Sequence, residues 1–247
     1  NRIALVTGAS SGLGAQFASC LARQGAKVAI AARRLDRLEQ LANEIKHAGG
    51  DCFPVQCDVT HDEEVERLIK AVSQHYGGLD ILVNNAGAAK SAPSTDVSME
   101  DYDYVMDINS RAVFLVAREA AKGMLARSYG RIINIASMYG LVGNKFSASA
   151  SYHASKGAVV NMTRALAAEW GKHGVTVNAI CPGFFASELT SRLMEQEAFI
   201  SFVQRSTCLE RFGQPGELDT ALLFLAADTS GYVTGQTIVV DGGWTCI

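Results

Sequence analysis

Tyr152 and Lys156 stand four residues apart at the start of an apolar run, Ala154, Ala158, Val159, Met162 and Leu166, whose period is helical. Residues four apart on a helix share one face, so this spacing sets the lysine ammonium near the tyrosine phenol. A free phenol, with a pKa near ~10, is a poor acid or base at neutral pH. A neighbouring cation favours the phenolate and lowers that value, toward the range where general acid–base catalysis is efficient. Ser137 follows a β-like run over 131–136, and its hydroxyl can donate to, or accept from, the same reacting oxygen. Together Ser137, Tyr152 and Lys156 could protonate a carbonyl oxygen, or deprotonate an alcohol, during hydride transfer. A Tyr-x-x-x-Lys pair is also common on exposed polar helix faces, so its meaning depends on the elements that position it.

The first of those elements is an apolar run over 3–6 that leads into Thr7-Gly-Ala-Ser-Ser-Gly-Leu-Gly14, then into a helical pattern through Phe17, Ala18, Leu21 and Ala22. Strand, glycine-rich turn and helix in that order form the context of a dinucleotide loop. Gly8 allows a tight turn, Gly12 lets a phosphate approach the backbone, and Gly14 lets helix and sheet pack closely. The helix start offers free N–H groups and a positive dipole end to a pyrophosphate. The spacing is Gly-x-x-x-Gly-x-Gly rather than GxGxxG. Gly8, Ser10, Ser11, Gly12, Leu13 and Gly14 are the candidate cofactor contacts here.

A second strand is expected over 27–32, running into Arg33-Arg34. An NAD-binding fold usually places an acid at this point for the ribose 2′-OH. Here two arginines stand instead, and a guanidinium can pair with a phosphate in bidentate fashion. NADP(H) is therefore the expected cofactor, with Arg33 as main contact and Arg34 in support; NAD(H) is the alternative. Asp36-x-x-Glu39 just beyond reads as a helix cap.

Further strands are expected over 53–57, 81–83, 175–180 and 236–240, with helices between them. Asp58-Val59 follows the third strand, where Asp58 could cap the next helix or accept from an adenine amino group. Asn84-Asn-Ala-Gly87 follows the fourth, and such small residues suit a backbone that approaches a ligand. Residues 99–125 read as one long helix with Asn109 inside it, a mediocre helix former whose side chain competes for backbone bonds. Alternating strands and helices imply a doubly wound, mostly parallel sheet with helices on both faces, and a site beyond the carboxyl ends of the strands. No repeat, low-complexity tract or linker interrupts the chain, so a single domain over 1–247 is expected.

TGASSGLG, Asp58-Val59, NNAG, Ser137, Tyr152-x-x-x-Lys156 and Pro182-Gly183, in that order and over nearly the whole chain, resemble the short-chain dehydrogenase/reductase family. The resemblance implies a Rossmann-type, seven-stranded α/β domain acting on CH–OH groups with a nicotinamide cofactor. It implies that Asn85, Ala86 and Gly87 border the adenosine ribose, and that Asp58 and Val59 hold the adenine. It gives Tyr152 the proton transfer, has Lys156 lower the phenol's pKa and bind the nicotinamide ribose, and makes Ser137 the group that polarises the carbonyl. Asn109 would hold a water near Lys156. Pro182, Gly183 and the residues up to Ser187 would wrap the nicotinamide, Ser187 bonding its carboxamide. Residues 188–210 would form a substrate lid that excludes water. The interval between Ser137 and Tyr152 is slightly longer than is common in the family; the extra residues fall within 143–151 and would reshape the substrate mouth, with Met138, Tyr139 and Lys145 as candidate neighbours. His153 points away from Tyr152's face and reads as a bystander. Subunit contacts through the helices carrying Asn109 and Tyr152 imply a homotetramer or homodimer.

The carboxy-terminal third looks most like sugar-acid reductases of the gluconate 5-dehydrogenase type. Similar segments occur in 3-oxoacyl-carrier-protein reductases and general ketone reductases. A carrier-protein substrate would favour a basic patch at the site mouth; no dense basic cluster lies in the lid, which tilts the expectation toward a small free molecule. A reading of another class is an NADP(H)-binding sensor or scaffold without turnover. The complete Asn109–Ser137–Tyr152–Lys156 set speaks against it, because a pure binder needs only the glycine-rich half.

The rest of the composition narrows the field. The chain has 247 residues, 48% hydrophobic and 19% charged, with a net charge of −3 and no long single-sign run. Nucleic acid and membrane are therefore not expected as partners. The cysteines at 20, 52, 57, 181, 208 and 246 form no CxxC pair and the histidines are scattered, so no metal site is expected. These thiols read as reduced, several of them core residues, in a cytoplasmic protein. No signal-peptide pattern and no bilayer-length apolar stretch is present in the sequence.

Overall fold

The computed structural model describes residues 2–146, 148–186, 190 and 193–246. Its centre is one seven-stranded sheet in the order β3-β2-β1-β4-β5-β6-β7. The strands are β1 (Ile3–Thr7), β2 (Lys27–Ala32), β3 (Asp51–Gln56), β4 (Ile81–Asn84), β5 (Gly130–Ile135), β6 (Val175–Pro182) and β7 (Thr237–Val240). Every neighbouring pair runs parallel. Parallel strands need crossovers, and helices supply them: α1 (Gly12–Arg23), α2 (Leu35–His47), α3 (Asp62–Tyr76), α4 (Met99–Met106), α5 (Ala112–Ala126), α6 (Ala150–Trp170), α7 (Glu197–Ser206) and α8 (Asp219–Ala226).

Alternation along the strands builds a core on each face. Ala4, Val6, Val28 and Ile30 join Phe17, Leu21, Leu38, Leu41, Leu222 and Leu225 from α1, α2 and α8. Leu5, Ala29, Leu82 and Ile132 point the other way, to Val65, Leu68, Leu115, Met124, Leu166 and Trp170 from α3, α5 and α6. Helices on both faces explain why the strands are nearly continuous apolar runs. The order reverses between β1 and β4, where the chain has wound outward in both directions. In doubly wound sheets ligands bind at that crevice.

The expected strands are all present, with ends shifted by at most two residues. The long helix over 99–125 is interrupted: residues Asp107–Arg111 form a π turn between α4 and α5, with Ala112 N–H reaching back to the Asp107 carbonyl. Asn109 is the middle residue of that turn. The expected Asp36 cap is absent. Arg34 occupies the N-cap of α2 and makes no side-chain cap hydrogen bond; Asp36 lies in the first turn, where a negative charge suits the helix dipole. Cysteines 20, 52, 57 and 181 are buried, but Cys208 and Cys246 are exposed, with sulfurs 3.6 Å apart. Four buried thiols agree with the expectation that several of the cysteines are core residues.

Candidate active site

At the carboxyl end of the sheet lies a cavity of about 520 Å³. One end is built from backbone. Gly8 has φ +65 and Gly12 φ +53, left-handed values that suit glycine. A Cβ on Gly8 would lie 2.7 Å from the Ala86 Cα, and one on Gly14 would lie 2.4 Å from the Gly8 carbonyl oxygen. Gly14 thus packs against the turn itself, behind the cavity lining, and not simply between helix and sheet. Thr7 holds the turn to β4: its Oγ1 accepts the Asn85 and Ala86 N–H groups at 3.0 and 3.2 Å. The Asn85 side-chain amide donates to the Thr7 and Gly8 carbonyls at 3.1 and 3.2 Å. Sequence reasoning missed Thr7; its place between a buried strand and a glycine was the available signal.

Ser10, Ser11, Gly12 and Leu13 line this end, as do Arg33, Arg34, Asp58, Val59, Asn85, Ala86 and Gly87. Arg34 lies across the turn and donates to Ser10 Oγ at 2.9 Å and Ser11 Oγ at 3.1 Å. The Arg33 guanidinium is 63% exposed and stands 3.9 Å from an Asp58 carboxylate oxygen. Burial pushes the Asp58 carboxyl up, but the Thr60 N–H and hydroxyl, with Arg33 and His61, outweigh it and hold the group below its ordinary value.

The other end carries the titratable set. Ser137 follows β5, is buried and lines the cavity; its Oγ accepts the Tyr139 N–H at 3.1 Å. Tyr152 and Lys156 project from the first turns of α6 into the same space. The Lys156 ammonium is 5.7 Å from the centre of the Tyr152 ring and donates to the Ile135 carbonyl at 2.8 Å. It is 4% exposed, and burial lowers its pKa to about 8. The phenol is shifted upward by burial, with the Ser137 hydroxyl pulling it down. The spacing argument expected the lysine to acidify the phenol. In the structure desolvation dominates both groups, and the serine is the counterweight.

Asn109 is buried behind this set. Its side-chain oxygen accepts the Ala88 N–H at 2.8 Å, and its amide donates to the Ala88 carbonyl at 2.8 Å and to Ser155 Oγ at 3.0 Å. Ser155 Oγ donates in turn to the Tyr152 carbonyl at 2.8 Å. The chain Ala88–Asn109–Ser155–Tyr152 ties the segment after β4 to the first turn of α6. A Cβ on Gly87 would lie 3.0 Å from the Asn109 oxygen and 3.6 Å from the Lys156 ammonium, so the glycine permits this approach.

Pro182 and Gly183 line the cavity; Ser187 lies outside the described residues. Met138 and Tyr139 also line it, but Lys145 is exposed and stands away from it. His153 is not idle: one ring nitrogen lies 2.8 Å from the Ser149 carbonyl, and the ring stacks on Tyr139 with centroids 4.5 Å apart. The least expected part of the lining is aromatic. Tyr139, Phe146, Phe184 and Phe199 face the cavity, with Phe202 and Trp244 packed behind them. Among the described residues, no cluster of His, Cys, Asp or Glu is placed to hold a metal ion, and no helix is long and apolar enough to cross a membrane.

The family model described as enoyl-(acyl carrier protein) reductase matches residues 8–245. A gluconate 5-dehydrogenase of Gluconobacter oxydans (strain 621H) is 39% identical over 242 residues, 98% of this chain and 94% of that protein. A 3-oxoacyl-[acyl-carrier-protein] reductase of Synechocystis sp. is 40% identical over 244 residues, 98% of this chain and 96% of that protein. The crystal structure of a gluconate 5-dehydrogenase from Burkholderia cenocepacia J2315 in complex with NADP and tartrate superposes with a TM-score of 0.96 at 36% identity, covering 100% of this chain and 96% of that one.

Proposed function

The chain belongs to the short-chain dehydrogenase/reductase family of oxidoreductases, and from that premise we propose that it moves a hydride between NADP(H) and a carbonyl or secondary alcohol in a small free molecule. The observation that carries the reading is convergence. Ser137, Tyr152 and Lys156 meet at one end of the cavity whose other end is lined by the glycine turn, Arg33 and Arg34.

The residues fit a 2′-phosphorylated dinucleotide. Gly8 and Gly12 keep their positions in the turn free of side chains, and Gly12 and Leu13, which line the space, belong to the first turn of α1, where N–H groups lack intrahelical partners. No acid ends β2; two guanidinium groups stand there. Asp58 and Val59 flank the adenine side, Asn85, Ala86 and Gly87 the ribose, and Pro182 and Gly183 the nicotinamide. Bound there, the nicotinamide supplies or accepts the hydride.

Tyr152 gives the proton to the carbonyl oxygen, or takes it from the alcohol. Ser137, already close enough to pull the phenol's pKa down, donates to the same oxygen. Lys156 brings a positive charge that favours the phenolate, and holds the nicotinamide ribose. Asn109 acts as a positioning residue: its side-chain amide is committed to Ala88 and Ser155, so the water expected beside Lys156 would need another acceptor in that turn. The described part of 188–210, with Thr190, Leu193 and Phe199 on the cavity, forms the substrate lid. A cytoplasmic location agrees with the free thiols, and exposed Met99, Tyr104 and Phe114 support self-association as a homotetramer or homodimer.

The names of the relatives bring two substrate classes to test, sugar acids and acyl thioesters. Following NADPH absorbance with 5-ketogluconate, an acetoacetyl thioester and simple ketones checks the reaction. Consumption supports the oxidoreductase; tight NADPH binding without consumption across the panel would replace it with the sensor.

A further inference from the structure

Resting on the reading above, we propose that the substrate is an uncharged ketone or secondary alcohol carrying an aryl or alicyclic body, held by an aromatic wall beside Tyr152. The wall begins at the proton donor: the Tyr139 ring meets Tyr152 edge-on at 6.5 Å. Tyr139 meets Phe184 at 6.1 Å, and Phe184 meets Phe199 edge-on at 5.1 Å. Phe146 stacks on Phe202 at 4.6 Å, and Trp244 closes the back against Phe184 and Phe202 at 5.2 and 5.1 Å. These separations are those of edge-to-face and offset ring packing. Phe199 is anchored at 2% exposure, and the other rings are half-buried.

Among the described residues, the serine and threonine side chains that line the cavity beside this wall are neutral. Ser91, Ser137, Ser149 and Thr190 line the cavity, and Thr190 Oγ1 already donates to the Phe185 carbonyl at 2.6 Å. Among the described lining residues, the cations are Lys156 at the proton-transfer end and Arg33 and Arg34 at the far end. A sugar acid would bring a carboxylate and several hydroxyls against rings, and a buried carboxylate needs a charged or hydrogen-bonding partner. A ring-bearing ketone asks for one polar contact, at the oxygen Ser137 and Tyr152 serve, and buries its remainder against Phe184, Phe146 and Phe199.

Four compounds supplied with NADPH test this: acetophenone, α-tetralone, 5-ketogluconate and an acetoacetyl thioester. The aryl ketones are expected to exceed 5-ketogluconate and the thioester by about 100-fold in kcat/KM, the scale on which apolar pockets discriminate. Equal or better turnover of 5-ketogluconate or the thioester overturns the substrate class and leaves the oxidoreductase standing. A second readout does not need turnover: quenching of Trp244 fluorescence in NADP-saturated protein, with Trp244→Phe as control. Saturable quenching by 1-phenylethanol and none by gluconate supports the wall. If quenching occurs while no compound consumes NADPH and no alcohol reduces NADP, the wall stands and the reaction falls. If 1-phenylethanol neither quenches nor reacts, the inference is wrong. Phe146→Ala, in a loop where folding is least at risk, is expected to weaken aryl binding about tenfold and leave NADPH binding unchanged.

Discussion

The two ends of the cavity are made of different material. The cofactor end is backbone: glycines with positive φ, a threonine pinning them to β4, and arginines at the strand end. Its shape follows from hydrogen bonds within the sheet and from what glycine alone allows. The substrate end is side chain: rings from the segment after β5, from the segment after β6, from α7 and from the carboxy terminus. A backbone cradle tolerates little change in shape, whereas a wall of side chains can be rebuilt one ring at a time. Relatives near 40% identity to this chain carry names for different substrates, which is what a fixed backbone cradle beside a replaceable side-chain wall would allow.

The largest effect expected is at the joint between the two ends. With Tyr152 in the role proposed for it, Tyr152→Phe removes the transferable proton and little else, since the ring can keep its packing against Tyr139. Proton transfer by a positioned group contributes roughly 10²–10⁴-fold, so kcat should fall by that order while the NADPH dissociation constant stays within a few-fold. Wild-type turnover in this variant, measured in the same absorbance assay, would remove the phenol from the mechanism.

At the cofactor end, Arg33→Asp is the sharper test of the backbone cradle. The substitution removes a guanidinium and sets a carboxylate beside Asp58. A charge-assisted hydrogen bond contributes about 1.5–3 kcal/mol, so kcat/KM for NADPH should drop about 10- to 100-fold with little change for NADH. Equal losses for both cofactors would mean that the arginine supports the fold and does not read the 2′-phosphate.

Electrostatics at the joint give a smaller, pH-dependent effect. Burial lowers Lys156 from its ordinary 10.5 to about 8. Below about pH 8 the ammonium is charged in both folded and unfolded chains, and folding bears the full desolvation penalty. Between about 8 and 10 the unfolded chain binds more protons at this position, so its contribution to stability rises with pH, by at most about 3 kcal/mol. Tyr152, shifted upward by burial, acts in the opposite direction only once its unfolded form ionises near ~10. Thermal unfolding of the cofactor-free protein from pH 7.5 to 9.5 should therefore show wild type gaining on Lys156→Met. Parallel curves for the two proteins would show that the lysine is not strained by its burial.

What could be read in advance divides along the same line. The strand–turn–helix of β1 and α1 is legible because Gly8, Gly12 and Gly14 do a backbone task that few residues share. Tyr152 and Lys156 are legible because helical spacing is local. Asn109 announced an irregularity, and the π turn is its form, but its partners Ala88 and Ser155 lie 21 and 46 residues away, beyond any local pattern. The Asp36 cap misled because Asp-x-x-Glu is common inside first turns, and only the chain's exit from β2 decides where α2 begins. Of the aromatic wall only Tyr139 is legible, through the family resemblance: residues 139, 146, 184, 199, 202 and 244 share no period and meet only because the topology returns each segment to one end of the sheet. Cys208 and Cys246, 38 residues apart, meet in the same way.

The smallest effect separates two neighbours in that wall. Lys145 and Phe146 are adjacent in sequence, and a basic residue at the mouth would have spoken for a carrier-protein partner. The structure leaves the Lys145 side chain exposed and off the lining, while the Phe146 ring lies on the cavity against Phe199 and Phe202. Lys145→Ala should thus leave kcat/KM for every substrate within about twofold, as surface changes away from a site do. Phe146→Ala should lower the value for ring-bearing ketones about tenfold and leave acetone-sized ketones nearly unchanged, because only the larger bodies reach the missing ring. A loss in Lys145→Ala that appears with an acyl-carrier-protein substrate and disappears at high salt would reverse the assignment, making charge at the mouth, not rings within, the selector.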